Sequence, residues 1–278
     1  MKNLFFSIDS TIDVEFIVNK ENGKWYYEGA RYTVTEKNLT TGSVFKKILF
    51  FSLPYLFSYF LQTLYGMADL FIIGQFESVS STTAVSIGSQ VMHMLTVMIV
   101  GLAMGATVSI GQAVGASDKK KVSAYTGNTV TLFMGLSVFL AAVLLLLRHS
   151  IVSVMSTPSS AVAGTVQYLT VCFIGIPFIT AYNIISSIFR GMGDSRSPMY
   201  FIAVACGINI ALDYLFIGAF HMGPAGAALG TTLSQAASVW ISLLVIRKCH
   251  QVTLSKADLH PRRQIMGQLL KIGVPVAL

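Results

Sequence analysis

MYFIAVACGINIALDYLFIGAF, residues 199–220, is an apolar run that carries a single carboxylate, Asp213, with Asn209 one helical turn ahead of it. Wound as a helix at about 1.5 Å per residue, the run is long enough to cross roughly 30 Å of hydrocarbon. A carboxylate at the centre of such a helix costs about 2.5–3.5 kcal/mol on insertion scales, so its place there calls for a function rather than for packing. The default reading is a site for a cation or a proton. The other carboxylate inside an apolar stretch, Asp69, has the same reading.

Working outward, further runs of spanning length occur at residues 48–74, 83–108, 122–147, 162–189 and 225–246, giving six predicted membrane helices. Composition agrees: 54% hydrophobic residues, 11% charged and a mean hydropathy of +0.67 lie far from a soluble average. The expected class is all-α, a polytopic membrane protein. Connecting segments alternate between basic and nearly uncharged. Lys46 and Lys47, then Lys119 to Lys121, then Arg190 and Arg196, then Arg247, Lys248, Lys256, Arg262 and Arg263 mark one side. Of nineteen Lys and Arg, only Arg148 falls in the opposite loops, so the basic side is predicted to be cytoplasmic, with both ends of the six-helix unit there. The net charge of +7 follows from this bias and needs no nucleic-acid partner.

Cys172 and Cys206 fall within the runs and Cys249 just beyond them, so no disulfide is expected. The sequence contains no CxxC, HExxH or GxSxG, and the chain is read as neither an enzyme nor a holder of a cofactor. Residues 1–42 are polar, with β-branched and aromatic residues on both sides of Asn22-Gly23, a hairpin signal. They read either as an appended hairpin or as sequence ahead of a true start near Val34 or Thr35, the second being favoured. Near the other end, LLKIGVPVAL (269–278) repeats the pattern of ILFFSLPYLF (48–57), with Pro275 matching Pro54 and a basic cluster before each.

These residues carry a family resemblance. FRGMGDSRSPM (189–199), NIALDYLFIGAF (209–220), GPAGAALGTTLSQ (223–235) and PYLFSYFLQTLYGMADLFIIGQF (54–76) resemble, in order and spacing, the amino-terminal half of a MATE-family multidrug exporter. The acid at Asp213 is similar to the DinF-like branch. The resemblance implies two six-helix lobes and export of drug-like compounds in exchange for sodium ions or protons. On that reading residues 43–247 form one lobe, 248–264 a basic inter-lobe loop, and 265–278 the beginning of helix seven and of the second lobe. The partners implied are the lipid bilayer, small organic substrates, and a missing second lobe or a second copy of the chain. Its location would be the cell (inner) membrane. Two other readings stand beside it: a flippase of lipid-linked precursors from the same superfamily, and a non-transporting fragment or interaction module.

Carried over residue by residue, the coupling site would be Asp69, Asn209, Asp213 and Thr231. The chemistry suits that role independently, because Asn209 and Asp213, spaced i, i+4, share a helix face and their oxygens are hard ligands suited to sodium. Thr231 also has a packing reading in its small-residue stretch. Gln62, Tyr65 and Asp69 follow one stripe of a helix, and Gln62 and Tyr65, with Asn183 from its family position, are the expected substrate contacts. In the family, bending at the proline matching Pro54 is proposed to accompany protonation. His93 is read as a hydrogen-bonded interhelical histidine, Arg190, Asp194 and Arg196 as a tight turn held by a local ion pair, and Gly101, Gly105 and Gly111 as points of close helix approach.

Overall fold

A computed structural model describes residues 2–9, 12–21, 24–34, 43–249 and 257–277. Ahead of the membrane part, β1 (Lys2–Asp9), β2 (Ile12–Glu21) and β3 (Lys24–Val34) form an antiparallel meander in that order. β2 and β3 pair from Glu21↔Lys24 outward, while Asn22-Gly23 lies outside the described residues.

The membrane part is helical: α1 (Val44–Phe76), α2 (Val79–Gly115), α3 (Lys119–Val154), α4 (Val162–Gly191), α5 (Arg196–Asp213), a π-helical turn (Tyr214–Ala219), α6 (Gly223–Cys249) and α7 (Arg263–Ala277). Six helices are long and apolar enough to cross a membrane, as the hydropathy pattern predicts. Most extend beyond their predicted apolar runs because the backbone remains helical where the side chains turn polar, although α5 with its π-turn stops at Ala219. Side-chain caps mark two of the starts. Ser78 accepts the Ser81 amide at the start of α2, and Asp118 accepts the Lys121 amide at 3.1 Å at the start of α3.

Helix α4 is the hub. Its apolar window is 72% buried against 17% for α3, and it contributes to all three apolar clusters of the bundle. Phe173 and Ile176 meet α2 and α6 toward one end, Ile184 and Ile188 meet α2, α3 and α7, and Phe189 packs edge-on against Phe201 of α5 at 5.6 Å between ring centroids. Helix α1 closes the bundle chiefly against α5, and α5 against α6. Between apolar helices in lipid, such contacts rest on van der Waals fit rather than on exclusion of water.

The glycines of α2 do permit close approach: Gly111 faces the Gly191 carbonyl of α4, while Gly101 and Gly105 face α7. A Cβ at Gly105 would meet the Leu269 carbonyl, and one at Gly273 would meet the Leu102 carbonyl, so the two backbones touch. The segment ahead of α7 is fastened to α3 as well. Asn128 accepts the Arg262 amide at 2.7 Å and donates to the Asp258 carbonyl at 3.3 Å, Thr131 donates to the Leu259 carbonyl at 2.8 Å, and Tyr125 to Gln268 at 2.8 Å.

Two sequence expectations need correction. His93 is exposed on the outer face of α2 rather than held between helices, since its neighbours Val91, Met92 and Leu95 take the buried face. In the turn after α4, Asp194 serves as a cap: its carboxylate accepts the Arg196 amide at 2.9 Å, the Ser197 amide at 3.1 Å and the Ser197 hydroxyl at 2.5 Å. Arg190 turns the other way, over the Tyr55 ring at 5.0 Å, with Ser187 accepting from its guanidinium at 3.1 Å. Gly193 supplies the positive φ of 88° that the turn requires.

Replacing Gly105 by leucine forces α2 and α7 apart. The expected result is a loss of about 1–3 kcal/mol of stability, read as a lower thermal midpoint of the purified chain in detergent, with Gly135→Leu, where a Cβ meets open space, as the unaffected control.

Candidate functional site

Three helices bring the polar residues of the apolar runs together. α1 supplies Asp69, α5 supplies Asn209 and Asp213 on one face, and α6 supplies Thr231. The first three are almost wholly withdrawn from the surface, at 4%, 1% and 0% exposure. The Thr231 hydroxyl lies 3.1 Å from Asp69 Oδ2 and equally 3.1 Å from the Ala227 carbonyl of its own helix. Asp69 also faces Asp213 and Asn209 across the helix interface.

Gly230 makes the meeting of α5 and α6 close. A Cβ there would run into Asp213 Oδ1 and come within 3.6 Å of Asn209 Nδ2, so the α6 backbone itself forms one wall of the site. The opposite boundary is unusual in another way. Asp213 is the last α-helical residue of α5, and the helix widens into the π-turn immediately after it, with the Phe220 amide reaching back five residues to the Leu215 carbonyl. Such turns recur at functional sites because they re-aim side chains without breaking the helix.

The polar accounting is incomplete at this point. Asp69 Oδ1, both Asp213 oxygens and both polar atoms of Asn209 are buried without a hydrogen-bond partner. Buried polar groups are ordinarily satisfied, and unpaired carboxylate oxygens are the costliest exceptions. The set fits a hard cation held by carboxylate, amide and hydroxyl oxygens, or a proton carried on a carboxyl. It does not fit a soft-metal centre, for no group of three His, Cys, Asp or Glu gathers among the described residues.

One turn away along the same faces, Tyr65 of α1 approaches Gln235 of α6, and Gln62 approaches Tyr182 of α4. Asn183, expected beside Gln62 and Tyr65, is buried in α4, with its amide donated to the Ile179 carbonyl at 2.8 Å. Pro54 lies within α1, which continues as one helix through it, and its carbonyl accepts the Ser58 hydroxyl at 2.8 Å. Gln235 and Gly230 escaped the sequence reading. Gln235 was accessible to it, four residues after Thr231 on the same face, whereas the role of Gly230 depends on a neighbour distant in sequence.

A family model, MatE, matches residues 54–215, which contain Asp69, Asn209 and Asp213. The chain belongs to the MatE family. A probable multidrug resistance protein of Bacillus subtilis (strain 168), YpnP, is 32% identical over 241 residues, covering 87% of this chain and 54% of the relative. Another from the same organism, YoeA, is 29% identical over 253 residues, covering 88% and 54%. A crystal structure described as MATE in the bent conformation superposes with a TM-score of 0.82 at 27% identity, over 88% of this chain and 55% of that one. The relatives are transporters rather than enzymes. The MatE chain described here spans about half the length of the curated relatives it matches.

Gly230→Ala puts a methyl group on the Asp213 carboxylate. The expected outcome is a destabilisation of about 1–3 kcal/mol together with loss of any cation-dependent rise in the thermal midpoint, whereas Gly207→Ala, in open space on α5, changes neither.

Proposed function

We propose that this lobe carries the coupling site of a multidrug exporter, in which a sodium ion or a proton at Asp69, Asn209, Asp213 and Thr231 is exchanged for a drug-like organic compound by alternating access. The observation that supports it best is the buried pair Asp69 and Asp213, presented by two helices with oxygens left unpaired inside a MatE-family bundle. A cation bound there offsets the cost of burying two carboxylates. A proton serves the same end by neutralising one of them.

The printed names of the relatives, multidrug resistance proteins, point to organic compounds as cargo. Gln62, Tyr65 and Asn183 are the proposed polar contacts of such a substrate. Tyr65 and Asp69 share a helix face one turn apart, so occupation of the cation site changes the field that a substrate at Tyr65 meets. Pro54, where α1 lacks one backbone hydrogen bond, is the proposed place where α1 bends as Asp69 changes charge. The Asp213 acid supports a place in the DinF-like branch. The basic loops support a topology with both ends of the six-helix unit on the cytoplasmic side of the cell (inner) membrane, and the proposed remaining transport machinery is a second lobe or a second copy of this chain.

The test reads binding, because all four proposed ligands lie on this chain. The full chain in nanodiscs is melted in sodium chloride and in choline chloride at equal ionic strength, over a range of pH. A ligand at about one hundred times its dissociation constant stabilises by about 2.7 kcal/mol. Sodium is expected to raise the midpoint at neutral pH, with the rise fading as pH falls because protonated carboxyls no longer hold the ion. Asp69→Asn and Asp213→Asn should each abolish it. A proton-only site gives a pH dependence that both substitutions flatten and sodium leaves alone. If sodium and pH act equally on the wild type and both variants, the coupling site lies elsewhere.

Substrate contact is checked separately by fluorescence titration with a lipophilic cationic dye. Gln62→Leu and Tyr65→Phe are expected to weaken binding several-fold while leaving the sodium response in place.

A further inference from the structure

Away from the carboxylate pair, a cavity of about 460 Å³ with a basic rim lies where the first turns of α3 meet the first turns of α7. Its rim holds Lys120, Lys121 and Arg262 against one carboxylate, Asp118. Asp118 is already engaged: it accepts the Lys121 backbone amide, which holds its carboxyl below the usual carboxylate range, and it pairs with Lys121 Nζ at 3.2 Å. No carboxylate pairs with Lys120 or Arg262 among the described residues. The cavity therefore has uncompensated positive charge, and its volume is that of a small-molecule site.

Two more observations narrow the ligand. The cavity opens where α3 enters its apolar stretch, so it lies at the level of lipid headgroups on the side of the membrane that carries the basic loops. Its wall is mixed, since Ala124 and Ile265 line it beside the Tyr125–Gln268 hydrogen bond. A small hydrated anion has no use for the apolar part of that wall, whereas the glycerol and upper acyl carbons behind a lipid phosphate do. Basic pockets between membrane helices are a recurrent form of anionic-lipid recognition.

We infer that Lys120 and Arg262, with Lys121 beside them, form a binding site for the phosphate of an anionic phospholipid at the junction of α3 and α7. Bound there, the lipid ties α7 to α3 from the membrane surface. It thereby reinforces the fastening that Asn128 makes to the Arg262 amide, at 2.7 Å, from within the bundle. That fastening uses only the Arg262 backbone, and its guanidinium forms no ion pair among the described residues.

Native mass spectrometry and thermal melting of the full chain, in phosphatidylcholine with and without cardiolipin, test the assignment. Cardiolipin is expected to be retained and to raise the midpoint. Lys120→Gln with Arg262→Gln is expected to weaken its retention about thirtyfold, at the usual contribution of a basic residue near a membrane surface, with the midpoint in phosphatidylcholine unchanged. Lys46→Gln with Lys271→Gln removes the same charge elsewhere and is expected to have little effect. Equal losses in the two double variants would mean diffuse attraction and overturn the site. Displacement of cardiolipin by millimolar inorganic phosphate on the wild type would make the ligand a soluble phosphate and overturn the lipid assignment, and that arm needs no variant to fold.

Discussion

Burying two carboxylates in one bundle constrains everything near them. Asp69 and Asp213 come from helices far apart in sequence, and the pair persists only where the α6 backbone seals one side at Gly230 and Thr231 offers a donor on the other. An isolated buried charge costs several kcal/mol even after relaxation. A positive partner or a proton would offset that cost, and the π-turn begins directly after Asp213. Function and stability meet at the same atoms.

Around this point the bundle is organised so that one helix carries the packing and others carry the chemistry. α4 is sheathed on most sides and joins all three apolar clusters, while α1, α5 and α6 each turn one polar stripe toward the carboxylates. Many of the hydroxyls in these helices, such as Thr96, Thr165 and Ser242, donate back to a carbonyl of their own helix at 2.7–2.9 Å and need no outside partner. Other buried polar atoms among the described residues lack a partner, including the hydroxyls of Ser109, Thr126, Thr180, Ser186 and Thr232, but only at Asp69, Asn209 and Asp213 do carboxylate and amide atoms without one come together.

Much of the fold was legible in the sequence because a bilayer imposes a length and a polarity that single residues report directly. The apolar runs gave the helices, and the rarity of intramembrane acids singled out Asp69 and Asp213. What stayed hidden depends on contacts between distant segments. Gly230 reads as one more small residue until Asp213 is seen against it. The glycines of α2 announce close packing but not that Gly101 and Gly105 meet α7 while Gly111 meets α4. His93 had no sign of its orientation, since the apolar residues surrounding it leave both faces of α2 equally greasy. Asp194 was mistaken for an ion-pair partner because backbone amides, which it caps, have no letter in the sequence.

Thr231 has one proton and two acceptors at the same distance, the Asp69 carboxylate and the Ala227 carbonyl. Its hydroxyl therefore has two acceptors within reach, the ionised carboxylate being the stronger of the two. If Asp69 were neutralised, the hydroxyl could keep the Ala227 carbonyl of its own helix as its acceptor. The site can change its charge while α6 stands still.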